Sequence, residues 1–228
     1  SVTGNSGYIH MGTGVATAGR GGMVLISVGS GTSSVGGMVQ AHAGRSTVHT
    51  GGAVVVTSGE GTATSSGVVL IRSSNSGEAG VSGSLLFSSG TSVTGNSGRV
   101  HMGTGAATAG RGGAVVVTVG SGTSGSGGLV QAHAGRSTVH TGGEVHVSSG
   151  EGTATSSGAI TIRSVNAGAA GTSGYLSFSS GSSVTGNSGY IHMGTGVATA
   201  GRGGMVLISV GSGTSSVGGM VQAHAGRS

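Results

Sequence analysis

The sequence predicts an all-β fold, a flattened two-sided parallel β-solenoid with 15-residue coils, and three observations carry that prediction. A 91-residue segment repeats along the 228-residue chain. Inside it, glycine recurs at alternating intervals of seven and eight residues. Between the glycines, apolar residues alternate at a period of two, the spacing of a strand whose two faces differ.

The long repeat comes first in the argument, because it decides what the rest of the chain must build. Ser1-Val2-Thr3-Gly4-Asn5-Ser6-Gly7 returns at Ser92 and at Ser183, and residues 183–228 are identical to residues 1–46. The middle copy differs, with Arg99 where the outer copies have Tyr8 and Tyr190. The organisation is therefore one continuous array over 1–228, with copies 1–91 and 92–182 and a partial copy 183–228. It starts without Met and stops in mid-repeat, and so reads as a window of a longer array with no capping unit.

Each copy divides into five units of 15 residues and one of 16, starting at Tyr8, Met23, Met38, Ala53, Val68 and Ser84. The same division works from Arg99 onward. In each unit the second and fourth residues are mostly apolar, as in Val24/Ile26, Val54/Val56, Val69/Ile71 and Leu85/Phe87. These predict a first strand over positions one to six. Glycine stands at the seventh position (Gly14, Gly29, Gly44, Gly59) and the last (Gly22, Gly37, Gly52, Gly67), where its freedom to take positive φ suits tight corners. Positions eight to thirteen then form a second strand, with small inward residues at nine and eleven (Ala16/Ala18, Gly31/Ser33, Ser46/Val48). Units stacked about 4.8 Å apart bury a thin continuous core that none buries alone. A three-sided coil needs corners at positions five and ten, and residues such as His42 and Thr47 do not supply them. An antiparallel meander is the runner-up. Arg45 followed by Glu60, and Arg136 by Glu151, at the eighth position serve as register pairs in the parallel stack.

Composition excludes most other classes. Gly (55), Ser (40) and Thr (25) make up over half the chain, while Pro, Cys, Trp, Lys and Asp are absent. Disulfide scaffolds and Cys-based zinc sites are out, and so is collagen, which needs Pro and glycine at every third place. No apolar run approaches the 18 or so residues of a membrane span. The net charge of +5 comes from nine dispersed Arg, without the clusters or aromatic interleaving of a nucleic-acid footprint. A mean hydropathy of +0.25 separates this low-complexity, glycine-rich chain from a flexible linker.

The outer faces differ. That of the second strand is wet, and Thr17, Thr32, Thr47, Thr62, Thr108, Thr123, Thr138 and Thr153 form an exposed column, open to O-linked sugars or to a glycan partner. That of the first strand carries Tyr8, Met23, Leu25, Met38, Val55, Val68, Leu70 and Leu86. An apolar strip of that length exceeds what a soluble monomer exposes, so these residues are assigned to self-association with other copies. The middle copy is less apolar there, with Arg99/His101 and Glu144/His146.

No catalytic, cofactor or metal site is predicted. Nine His are present, but no Cys or Asp completes a metal site. His42 and His49 point from opposite faces of a unit, and His10, His133 and His146 read as surface or interface residues. Gly120-Ser121-Gly122-Thr123-Ser124-Gly125 matches a phosphate-loop pattern but lacks the following helix. Hydrolase chemistry lacks an Asp to orient a base.

The unit, an aliphatic strand followed by Gly29-Ser30-Gly31-Thr32-Ser33-Ser34-Val35-Gly36-Gly37, resembles the Gly/Ser/Thr-rich repetitive β-solenoid proteins of microbial and algal surfaces and extracellular fibres. The resemblance covers the whole chain. It implies an extracellular or cell-surface structural protein without enzymatic activity, self-assembling into a fibre by end-to-end stacking and lateral packing, with an axial repeat of about 29 Å for six coils. The alternative is an ice- or polysaccharide-binding solenoid using the Thr column. Ice-binding solenoids carry regular Thr-x-Thr ranks, whereas here that pattern occurs at Thr62/Thr64 and Thr153/Thr155.

Overall fold

The computed structural model describes residues 4–214 and 217–226. The two ends of the array, Ser1 and Ser228, lie outside them. Among the described residues there is no helix and no strand. This overturns the all-β solenoid, and with it the end-to-end stacking of coils. A parallel coil of 15 residues places each residue about 4.8 Å from the one 15 positions on. Here nearly all close approaches join residues fewer than 12 apart in sequence. The chain divides into two compact units, Ser1–Val116 and Val117–Ser228. The division falls within the aliphatic run of the middle copy rather than at a copy boundary.

Both units are built the same way, and the 15-residue register survives in what they build. Each repeat is a bend-free aliphatic segment followed by a bent loop, and several of the loops are pinched at the base. In six repeats the N–H of the last glycine donates to the carbonyl of the seventh: Gly37 to Gly29, Gly52 to Gly44, Gly67 to Gly59, Gly143 to Gly135, Gly158 to Gly150 and Gly219 to Gly211, at 2.8–3.0 Å. The loop turns through a bend at its tip, at residues 17–19, 32–34, 47–49 and 62–64 in the first copy and at the matching places later. The predicted second strand is therefore a bent loop.

The glycines are needed for a different reason from the one expected. Among the described residues only Gly4, Gly80 and Gly171 have positive φ. In some units the last glycine instead lies so close to the sixth residue that an added side chain is crowded. A Cβ on Gly22 would come within 2.6 Å of the Cβ of Thr13, and one on Gly37 within 3.1 Å of that of Val28. A Cβ on Gly128 would collide with Val119. Gly80 (φ 156°) and Gly171 (φ 152°) close the bends of the two 16-residue units. There the extra residue sits inside the loop, because Gly83 still faces Ser73 and Gly174 still faces Ser164.

No residue among those described is buried, and there is no core. The accessible surface is 22947 Å². A folded monomer of 21.1 kDa exposes about 9,000 Å² and the same chain unfolded about 31,000 Å². The reason is local. Ordering a residue costs about 1–2 kcal/mol, and glycine loses the most freedom. Loop closure over nine residues is entropically cheap, and the pinches form. A coil also needs pairing to residues 15 away, and each unit has only about four aliphatic side chains to offset that ordering.

The two-faced pattern of the first segment persists as graded exposure. Val69 and Ile71 are 48% and 58% exposed, whereas Val68 and Leu70 are 87% and 73%. In this unit and in those starting at Met23 and Ala53 the second and fourth positions face the partly screened side of the segment, and the first and third face more open solvent. Period-two alternation thus sets side-chain direction without any ladder of hydrogen bonds.

Candidate functional site

The residues assigned to self-association share the exposure of the whole chain. Tyr8, Met23, Leu25, Met38, Val55, Val68, Leu70 and Leu86 are all exposed, at 72–92%. The surface is larger than the sequence indicated. Val24, Ile26, Val54, Val56 and Phe87, expected inside a core, are exposed as well, so segments such as Met23–Ile26 and Val68–Ile71 present apolar groups on both sides.

The Thr column maps onto one structural feature. Thr17, Thr32, Thr47, Thr62, Thr108, Thr123, Thr138 and Thr153 each occupy the first residue of the bend at a loop tip, and all are exposed. Intervals of 15 residues separate neighbours within each group of four. In the units starting at Ser84 and Tyr175 the same place is taken by Val93 and Val184, both fully exposed.

Beside that column lies a role that sequence reasoning missed. Ser46, expected to be an inward filler, accepts a hydrogen bond from the N–H of His49 at 2.9 Å, and Ser137 does the same for His140 at 2.9 Å. Ser92 and Ser183 accept from Gly95 and Gly186 at 3.0 Å. All four serines hold the ninth position, so the hydroxyl ties down the bend three residues on. The signal was available, since Ser, Asn and Asp favour such local turns. Replacing Ser46 with Ala is expected to speed amide hydrogen exchange at His49 several-fold, since the bond contributes about 0.5–1.5 kcal/mol. Exchange unchanged at His49 would show that the bend holds without it.

At the loop base, Thr104 donates its hydroxyl to the carbonyl of Gly113 at 3.3 Å, and Thr195 to Gly204 at 3.4 Å. Gln40 and Gln222 donate to the sulfurs of Met38 and Met220. These contacts lean the amides over the thioethers on the first-segment surface.

Arg45, Glu60, Arg136 and Glu151 each stand at the first loop residue after a pinching glycine, and all four are exposed. The side-by-side pairing expected from stacked coils has no sheet beneath it to set its spacing. His42 lies just before the pinch of its loop, and His49 closes the bend. Among the described residues no three of His, Cys, Asp and Glu come together in a way that could hold a metal ion, and no pocket opens. No helix among them is long and apolar enough to cross a membrane.

The surface on offer is thus a periodic series of aliphatic segments separated by bent loops, many of them tipped by a Thr hydroxyl. No protein-family model, curated protein or solved structure matches this chain.

Proposed function

We propose that the chain is a non-enzymatic structural repeat protein that assembles with other copies of itself into an extracellular fibre or surface filament, through lateral packing of its aliphatic segments. One observation carries this reading: apolar side chains of every unit remain exposed and none among the described residues is buried. Exposed apolar surface on this scale is well beyond the few hundred Å² typical of soluble monomers. Other copies offer matching segments at the same 15-residue spacing. The extracellular placement rests on the resemblance of the repeats to those of surface and fibre proteins.

Sedimentation and electron microscopy of the purified chain over a concentration series test it. Filaments appearing above a threshold concentration are the expected result. A chain that stays monomeric up to its solubility limit removes the proposal.

The shared place of the Thr column on the loop tips favours a second reading, a surface that binds polysaccharide or ice. Replacing Thr32, Thr47 and Thr62 with Val is expected to abolish glycan retention or thermal hysteresis under that reading while leaving assembly unchanged. Neither activity in the unmodified chain would dismiss it.

A further inference from the structure

Tension along this chain acts across the base of each pinched loop. The backbone enters such a loop at one glycine and leaves at another, and a single hydrogen bond joins the two: Gly29 with Gly37, Gly44 with Gly52, Gly59 with Gly67, Gly135 with Gly143, Gly150 with Gly158 and Gly211 with Gly219. In two further loops the hydroxyls of Thr104 and Thr195 reach across to Gly113 and Gly204. No side chain among the described residues is buried, so no packing backs these bonds.

We propose that the pinched loops are stored length and that the chain has a mechanical function, reversible extension under tension. The six closures stand in series along the backbone and share no core, so each yields by itself. With its base closed, a loop spans about 5 Å, the separation of residues that exchange a backbone hydrogen bond. Opened and drawn out, the backbone from Gly29 to Gly37 spans about 27 Å. Each loop therefore holds about 20 Å, and the six together about 120 Å.

Two properties make the extension reversible. Stretching uncovers no apolar side chain that is not already exposed, so the drawn-out chain gains no new surface on which to be trapped. Loops of about ten residues close in about 10–100 ns, and the conformational freedom of glycine draws the slack chain back. A domain with a packed core behaves otherwise, since it resists until it gives way cooperatively. The property belongs to the single chain and does not depend on the assembly proposed above.

Disulfide locks in the full chain, held by its ends in optical tweezers, test this. The chain has no Cys of its own. A Cβ on Gly67 would lie 3.3 Å from that of Ser58, and one on Gly158 3.4 Å from that of Ser149, close to the separation a disulfide needs. Ser58→Cys with Gly67→Cys, and separately Ser149→Cys with Gly158→Cys, are expected to leave the length at low force unchanged, because the locked loop is closed already. At high force each oxidised chain is expected to be about 25 Å shorter than the unaltered one, and a dithiol reductant to restore the difference. Stretch and release traces of the unaltered chain are expected to coincide. A lock that shortens the chain in the same proportion at every force overturns the proposal, since the loop then stands open without load. A Cys pair that fails to oxidise overturns it for the same reason, and a sudden rupture with hysteresis overturns it by revealing a packed core. Absence of filaments removes the assembly proposal and leaves this one standing.

Discussion

Replacing Met23 and Met38 with Gln and Leu25 with Ser, together with the same changes at Met205, Met220 and Leu207, is expected to raise the assembly threshold about a thousandfold. Fully burying one Leu or Met side chain contributes about 1.5–3 kcal/mol. A side chain packed laterally between two copies is partly buried, so about two-thirds of the lower value is a fair share for each. Four to five such losses per contact amount to about 4 kcal/mol, or three powers of ten. Each of these residues is already at least 71% exposed in the single chain. Their removal therefore costs the free chain almost nothing, and the effect falls on association. Light scattering across a concentration series reads the threshold. If the sixfold variant assembles at the unaltered concentration, the aliphatic segments are not the contact.

The second large effect concerns the loops. Gly61→Ala and Gly152→Ala are expected to open the loops 59–67 and 150–158, raising amide exchange at Gly67 and Gly158 at least tenfold. An added Cβ at either glycine runs into the carbonyl oxygen across the loop, that of Ser65 or of Ser156. This obstacle is backbone and cannot swing aside. The bond that closes each loop is 2.9 Å long and contributes about 0.5–1.5 kcal/mol net, which a clash of this kind exceeds. Gly36→Ala is the control, because a Cβ there meets nothing within 4 Å. Residue-resolved exchange by NMR separates the outcomes. Equal behaviour of Gly61→Ala and Gly36→Ala would mean that the loops do not depend on that close approach.

These two predictions divide along what could be read in the chain and what could not. The direction of the side chains along each aliphatic segment was legible because alternation at a period of two depends only on covalent geometry. Successive side chains point to opposite sides whether or not a neighbouring segment is present, and Val68 and Leu70 are more exposed than Val69 and Ile71 for that reason. The Thr column was legible on the same ground, since a fixed repeat puts equivalent residues in equivalent places. The solenoid was not secured by that pattern. Strands exist through hydrogen bonds between segments 15 residues apart, and periodicity says which residues are equivalent without saying that their backbones meet.

The glycines show the same division. Their positions marked each change of direction, and the changes of direction are there. Their chemistry was misjudged, because positive φ and close approach leave the same trace in a sequence. Gly80 and Gly171 serve the first purpose, whereas Gly22, Gly37 and Gly128 serve the second. Ser46 reads as filler by its size, although its hydroxyl holds the bend, as does that of Ser137.

By itself, then, the sequence determined the 15-residue register, the direction of the side chains along each aliphatic segment, and the placing of hydroxyls and charges in equivalent positions. Only the tertiary structure decided that the register closes into pinched loops rather than stacked coils. The physical reason lies in range. Loops of nine residues close on local contacts, while a coil requires ordering a glycine-rich segment for a pairing that a single chain's few aliphatic side chains do not offset.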